Sequence, residues 1–121
     1  MINYFDNDYS IPVILGNGIT ELKAAKLISK ETDKEIHVFA DKLSPIKRLK
    51  YTFHKLPQSK RLLLTAISDF ASTIHEFYTP ILIYGTSYSE FISKNRDELE
   101  SMYITIPADE IHKYFEINPK E

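Results

Sequence analysis

The chain has 121 residues, 43% of them apolar and 26% charged, with a formal charge of −2 at neutral pH. That is the composition of one folded domain with its own core rather than of a disordered segment. Cysteine is absent, which excludes disulfides, thiolate nucleophiles and cysteine-based metal sites. No apolar run nears the roughly 18 residues of a membrane span, and the polar, acidic first ten residues are unlike a secretory leader. A cytoplasmic protein with no membrane partner is expected.

Residues 1–10 read as a lead-in, with Tyr4 and Phe5 able to pack. Ile11-Pro-Val-Ile-Leu15 is an apolar run with β-branched members, the pattern of a strand buried on both faces. Gly16-Asn17-Gly18 turns the chain, and Ile19, Leu22, Ala25 and Ile28 recur at helical spacing up to about Lys30. Ile36–Ala40 is a second buried strand, with Asp41 at its carboxyl end. Leu43-Ser44-Pro45 is a turn, because proline drives the preceding residue out of the α region; a short helix over Pro45–Lys50 is expected.

Tyr51–Leu56 alternates weakly, as a strand near the sheet edge would. Ser59 is a candidate cap for the most amphipathic helix, whose apolar positions are Leu63, Ile67, Phe70, Ile74 and Phe77. Ile81–Tyr84 follows Pro80 as a fourth strand and Gly85 ends it. Ser87 with Glu90 three residues on is a capping-box signal for a helix carrying Tyr88, Phe91 and Ile92. Asn95-Arg96-Asp97 breaks that helix and Glu98–Ser101 is a turn. Met102–Ile106 is a fifth strand, and a last helix carries Ile111, Tyr114 and Phe115 before Asn118-Pro119.

Strands alternating with helices imply an α/β domain of three layers with right-handed crossovers. The expected fold is Rossmann-like: a mainly parallel sheet of about five strands in the order 3-2-1-4-5, reversing between the first and fourth. The domain spans 11–117, and 118–121 is a tail or the start of a linker.

All three glycines of the chain, Gly16, Gly18 and Gly85, end the two strands that flank the reversal. Glycine serves where backbone turns sharply or approaches something closely, and tight strand-to-helix turns need it even without a ligand. Asp41, Thr86 and Ser87 border the same cleft, so Gly16, Asn17, Gly18, Asp41, Gly85, Thr86 and Ser87 form the candidate binding rim. A nicotinamide or flavin site fits poorly: the fingerprint needs a glycine three positions beyond Gly18, where Glu21 stands. Its charge enters the helix turn that would receive a pyrophosphate. Asp41 matches a ribose-binding acid only in spacing and has no second carboxylate assigned beside it.

His37, His54, His75 and His112 fall on different elements without metal-ligand spacing, and His37 reads as a satisfied core residue. No Gly-x-Ser-x-Gly elbow and no Walker loop is present. Seven basic residues and no acid lie between Lys42 and Arg61, yet they spread over a loop, a strand and a helix start. A solvated rim, rather than nucleic acid, is the expected reading.

Ile11-Pro-Val-Ile-Leu-Gly-Asn-Gly18, Ala40-Asp-Lys-Leu-Ser-Pro45, Pro80-Ile-Leu-Ile-Tyr-Gly-Thr-Ser-Tyr-Ser-Glu-Phe-Ile-Ser93 and Asn95-Arg-Asp-Glu-Leu99 occur in this order. Together they resemble the amino-terminal, Rossmann-like "pre-ATP-grasp" domain of ATP-grasp carboxylate–amine ligases, with D-aspartate ligase the nearest comparison. The resemblance implies a domain that walls the substrate cleft while ATP and magnesium bind only to a following ATP-grasp module. In that family ATP phosphorylates a carboxylate and an amine attacks the acyl phosphate. Gly16–Gly18, Leu43-Ser44-Pro45 and the turn after Gly85 would face the cleft, and this chain would hold no catalytic residue, cofactor or metal.

The chain departs from the family in two places. Relatives often carry an acid directly after the fourth-strand glycine, where Thr86-Ser87 stands here. They also continue into the ATP-grasp module, whereas this sequence stops at Glu121, as a cut-out domain or a free-standing protein would. The expected partners are that module in cis and a small carboxylate or amino acid; a homodimer stays open. A free-standing binding or interaction module and, more weakly, a nucleotide-dependent oxidoreductase fragment are the alternatives.

Overall fold

The structure, a computed structural model, describes residues 9–42, 51–74 and 77–115. Five strands, β1 (Ser10–Leu15), β2 (Ile36–Ala40), β3 (Tyr51–Lys55), β4 (Thr79–Tyr84) and β5 (Ile104–Pro107), form one sheet in the order β3-β2-β1-β4-β5. Every pairing is parallel, so the sheet is Rossmann-like as expected. The helices are α1 (Ile19–Glu31), α2 (Lys60–Ser72), α3 (Ser89–Lys94) and α4 (Arg96–Glu100), with 3-10 segments at Thr86–Tyr88 and Ala108–Tyr114.

The apolar runs of the central strands reflect burial on both sides. Ile14, Val38, Ile81, Ile83 and Ile106 pack against Ala24, Ala25 and Ile28 of α1 and Ile111 of the last 3-10 segment. On the other face, Val13, Leu15, Phe39 and Leu82 meet Leu63 and Ile67 of α2, Ile92 of α3 and Leu99 of α4. The Tyr103 hydroxyl, whose burial pushes its pKa far up, donates to the Ile67 carbonyl at 2.8 Å and ties the chain before β5 to α2. β3 lies at the sheet edge and its residues are half-buried or exposed.

Several element boundaries differ from the sequence reading. Ser59 caps α2, its Oγ accepting from the Arg61 N–H at 3.3 Å. That helix nevertheless stops at Ser72, so Ile74 and Phe77 lie beyond it and Phe77 is 70% exposed. Ser72 and Thr73 turn their hydroxyls onto the carbonyls of Asp69 and Phe70, both at 2.7 Å, and side-chain bonds of this kind compete with helix continuation. The Ser87–Glu90 capping box does not form: Ser87 sits in the 3-10 turn, α3 starts at Ser89, and Glu90 pairs with Lys94 instead. Residues 96–100 are a helical turn, β5 begins at Ile104, and the last helix is 3-10. The expected lead-in, apart from Tyr9 and the Ser10 start of β1, the 45–50 helix and the 118–121 tail lie outside the described residues.

His37 and His54 are brought together by the β2–β3 register, which places them on one face, and His37 Nδ1 is 3.0 Å from His54 Nε2. Phe39 stacks on His54, and Phe70 of α2 packs on both imidazoles. Burial lowers the pKa of both rings. For His37 the neighbouring His54 lowers it further, and for both rings Glu35 acts in the opposite sense.

Ile67 is fully buried, and Ile67→Ala is expected to cost about 2–5 kcal/mol of unfolding free energy, measured by urea denaturation. The histidine pair adds a pH dependence. Folded-state pKa values below the usual histidine value mean that the unfolded chain binds more protons, so stability is full above about pH 6.5 and falls as pH drops below it. Replacing both rings, His37→Phe with His54→Phe, is expected to flatten the fall of the urea midpoint between pH 7.5 and 5.5.

Candidate functional site

The site lies where the sheet order reverses, at the carboxyl ends of β1 and β4. Gly16 follows β1 with φ of +115°, a backbone conformation that favours glycine, and its N–H donates to the Phe39 carbonyl at 2.8 Å. Gly85 follows β4 and its N–H donates to the Leu15 carbonyl at 3.1 Å, so the two glycine turns lie side by side as the strand order requires. Asn17 spans the next gap, donating from Nδ2 to the Lys42 carbonyl at 3.0 Å and tying the β1 turn to the chain leaving β2.

Gly18 and Gly85 have ordinary extended backbones, with φ of −76° and −77°, so backbone conformation does not require glycine at either. What lies against both is the end of the Glu21 side chain. A Cβ at Gly16 or Gly85 would overlap the Glu21 carboxylate, and one at Gly18 would come within 3.0 Å of its Oε1. Glu21 belongs to the first turn of α1, yet it is only 6% exposed, a charged side chain folded into the space between three glycines. It is the residue around which the site is built.

A carboxylate at a helix amino terminus gains about 0.3–1 kcal/mol from the helix dipole, and up to about 2 in partly buried geometry. None of the ion pairs or hydrogen bonds among the described residues includes the Glu21 carboxylate.

The remaining described rim candidates fall at the carboxyl ends of the strands. Asp41 and Lys42 are exposed beyond β2, and Thr86 and Ser87 are exposed beyond β4. Leu43, Ser44 and Pro45 lie outside the described residues. Burial first, then the Asp41 and Glu21 carboxylates, raise the pKa of the half-buried Tyr88 hydroxyl, which lies within electrostatic reach of both. Thr86-Ser87 supply no acid after Gly85, whereas Glu21 brings a carboxylate to that glycine from α1. Ile19, the first residue of α1, is 74% exposed at the same end of the sheet.

No protein-family model matches the chain, and neither a curated protein nor a solved structure is significantly similar to it. The geometry therefore carries the functional argument.

Among the described residues, no group of three or more histidine, aspartate or glutamate side chains is arranged to hold a metal ion, and no helix is long and apolar enough to cross a membrane. An open groove of about 440 Å³ lies at the opposite end of the strands, lined by Ile11, His37, Phe70, Thr73, Ile74 and Tyr78. It is mostly apolar and does not reach the glycine turns. Of the basic stretch, Lys42, Lys55 and Arg61 are described and exposed, at the ends of separate elements.

Two residues that matter here, Glu21 and Tyr88, were not among the rim candidates. A glutamate in a first helical turn ordinarily faces water, and only the arrival of β4 beside β1 encloses this one. Gly85→Ala is expected to cost less than about 1 kcal/mol, because its backbone is ordinary and the flexible Glu21 side chain can swing its carboxylate aside. A larger loss in urea denaturation, relieved by Glu21→Ser in a double-mutant cycle, would show that the carboxylate is held in place.

Proposed function

We propose that this domain forms one wall of the substrate cleft of an ATP-dependent carboxylate–amine ligase and performs no chemistry of its own. The observation that carries this reading over the nucleotide-dependent oxidoreductase is the position of Glu21. In a dinucleotide-binding domain the glycine turn and the amino terminus of the following helix receive a pyrophosphate. Here the protein's own carboxylate fills that space, so a phosphate would meet a buried negative charge. The residues present do not fit a nucleotide, and no phosphoryl-transfer step is assigned to them.

What the edge offers is polar recognition. Asn17, Asp41, Thr86 and Ser87 provide donors and acceptors around a crevice at the topological switch point, the usual ligand position in open α/β sheets. The exposed Ile19 is an apolar contact for a module closing over the same edge. ATP and magnesium would be held by that module, which would activate a carboxylate for attack by an amine, while this domain orients one of the two substrates.

The 121-residue chain alone is expected to show no ATP hydrolysis and no micromolar ATP binding by calorimetry. Joined to an ATP-grasp module, it should support ADP release that depends on a carboxylate together with an amine. Ser87→Trp in the joined protein should raise the KM for one of those substrates about tenfold, equivalent to ~1.4 kcal/mol, with a smaller effect on the KM for ATP. Tight stoichiometric ATP or NAD binding to the isolated chain would overturn the reading.

A further inference from the structure

We propose that the crevice between the β1 and β4 turns binds the cationic end of a small ligand, an ammonium or guanidinium group, with Glu21 as its counter-ion and Asp41 and the Tyr88 hydroxyl on its rim. The inference rests on the reading that this edge is a ligand cleft, but not on the ligase chemistry. It names the sign of the group the cleft takes.

The amino terminus of a 13-residue helix at a switch point is a ready-made seat for an anion. In this chain the seat is filled from within, and the sign of the site is inverted. Glu21 is more than nine-tenths buried, and no basic side chain among the described residues forms an ion pair with it. Among the described residues Ser68 Oγ is the side-chain atom sealed from solvent without a partner, so the Glu21 oxygens keep contact with solvent, where a cation can reach them.

The surroundings of Glu21 are arranged for such a cation. Glycines at 16, 18 and 85 leave the carboxylate flanked by backbone rather than by apolar side chains that would seal it. Asp41 adds a second negative charge on the exposed side, and two carboxylates at one crevice attract a cation and repel a phosphate. The half-buried Tyr88 hydroxyl lies within electrostatic reach of both acids and has lone pairs to accept a hydrogen bond. An ammonium, with three donors and no acceptor, complements two carboxylates and a hydroxyl. Only the head group needs to enter, so the remainder of the ligand can lie along Thr86 and Ser87.

The test is titration of the ¹⁵N-labelled 121-residue chain by NMR with n-propylammonium and n-propylguanidinium, and with propionate and inorganic phosphate as anionic counterparts. At least one cation should shift the amide signals of Gly16, Gly18 and Gly85 saturably in the millimolar range, with both anions leaving them in place. Glu21→Gln, close to isosteric, should weaken that binding at least about tenfold. Asp41→Asn, on an exposed residue that does not endanger the fold, should weaken it severalfold and decides the matter if Glu21→Gln does not fold. Absence of cation-induced shifts, undiminished binding in Asp41→Asn, undiminished binding in a folded Glu21→Gln, or phosphate shifting the same glycines would each overturn the proposal. Cation binding without ADP release by the joined protein would sink the ligase reading alone. ADP release without cation binding would sink this inference alone.

Discussion

At the carboxyl ends of β1 and β4 the structure is organised around one enclosed carboxylate. Glu21 leaves the first turn of α1 and enters the space where β1 and β4 release their chains, with its carboxyl end lying against the Cα of Gly16, Gly18 and Gly85. Two of those positions have backbone geometry that any residue adopts. Gly16 is set by its left-handed backbone, whereas Gly18 and Gly85 leave room for a neighbour's side chain, an accommodation of the protein's own charge.

This arrangement shows why a glycine pattern alone does not identify a ligand. A Gly-x-Gly turn between a parallel strand and a helix suggests phosphate, because backbone N–H groups and the helix dipole converge there. The same convergence accommodates an internal carboxylate equally well. Once one is present, the turn's affinity for phosphate falls while its geometry scarcely changes. Asp41, which in sequence matches a ribose-binding acid, joins Glu21 in raising the pKa of the Tyr88 hydroxyl.

The sheet was largely legible because burial on both faces leaves continuous apolar runs, as at Val13–Leu15 and Ile81–Ile83, and the crossover rules fix their order. The end of α2 was not legible, since the apolar spacing continues through Ile74 and Phe77 after the helix has stopped. Two hydroxyls folded onto carbonyls decide that end, and periodicity does not register them. The His37–His54 pair was hidden for a different reason: it depends on the register of β3 against β2, which no local pattern specifies. The glycines, Asn17, Asp41, Thr86 and Ser87 were legible as a rim from strand ends alone. The centre of that rim was hidden because enclosure of Glu21 needs two turns separated by most of the domain.

The strand order also governs how the chain assembles. β1 pairs with β2 through a single crossover, but its other neighbour, β4, lies roughly seventy residues away in sequence. Closing that longer loop is entropically dearer and is repaid only when β4 docks, a feature that slows folding of parallel sheets. During synthesis at about 5–20 residues per second, β1–β2–β3 is complete on the order of seconds before β4 emerges. Over that interval the inner edge of β1 displays unpaired backbone groups flanked by apolar side chains, and the nascent half-sheet is a surface for a chaperone or for misassembly with another chain.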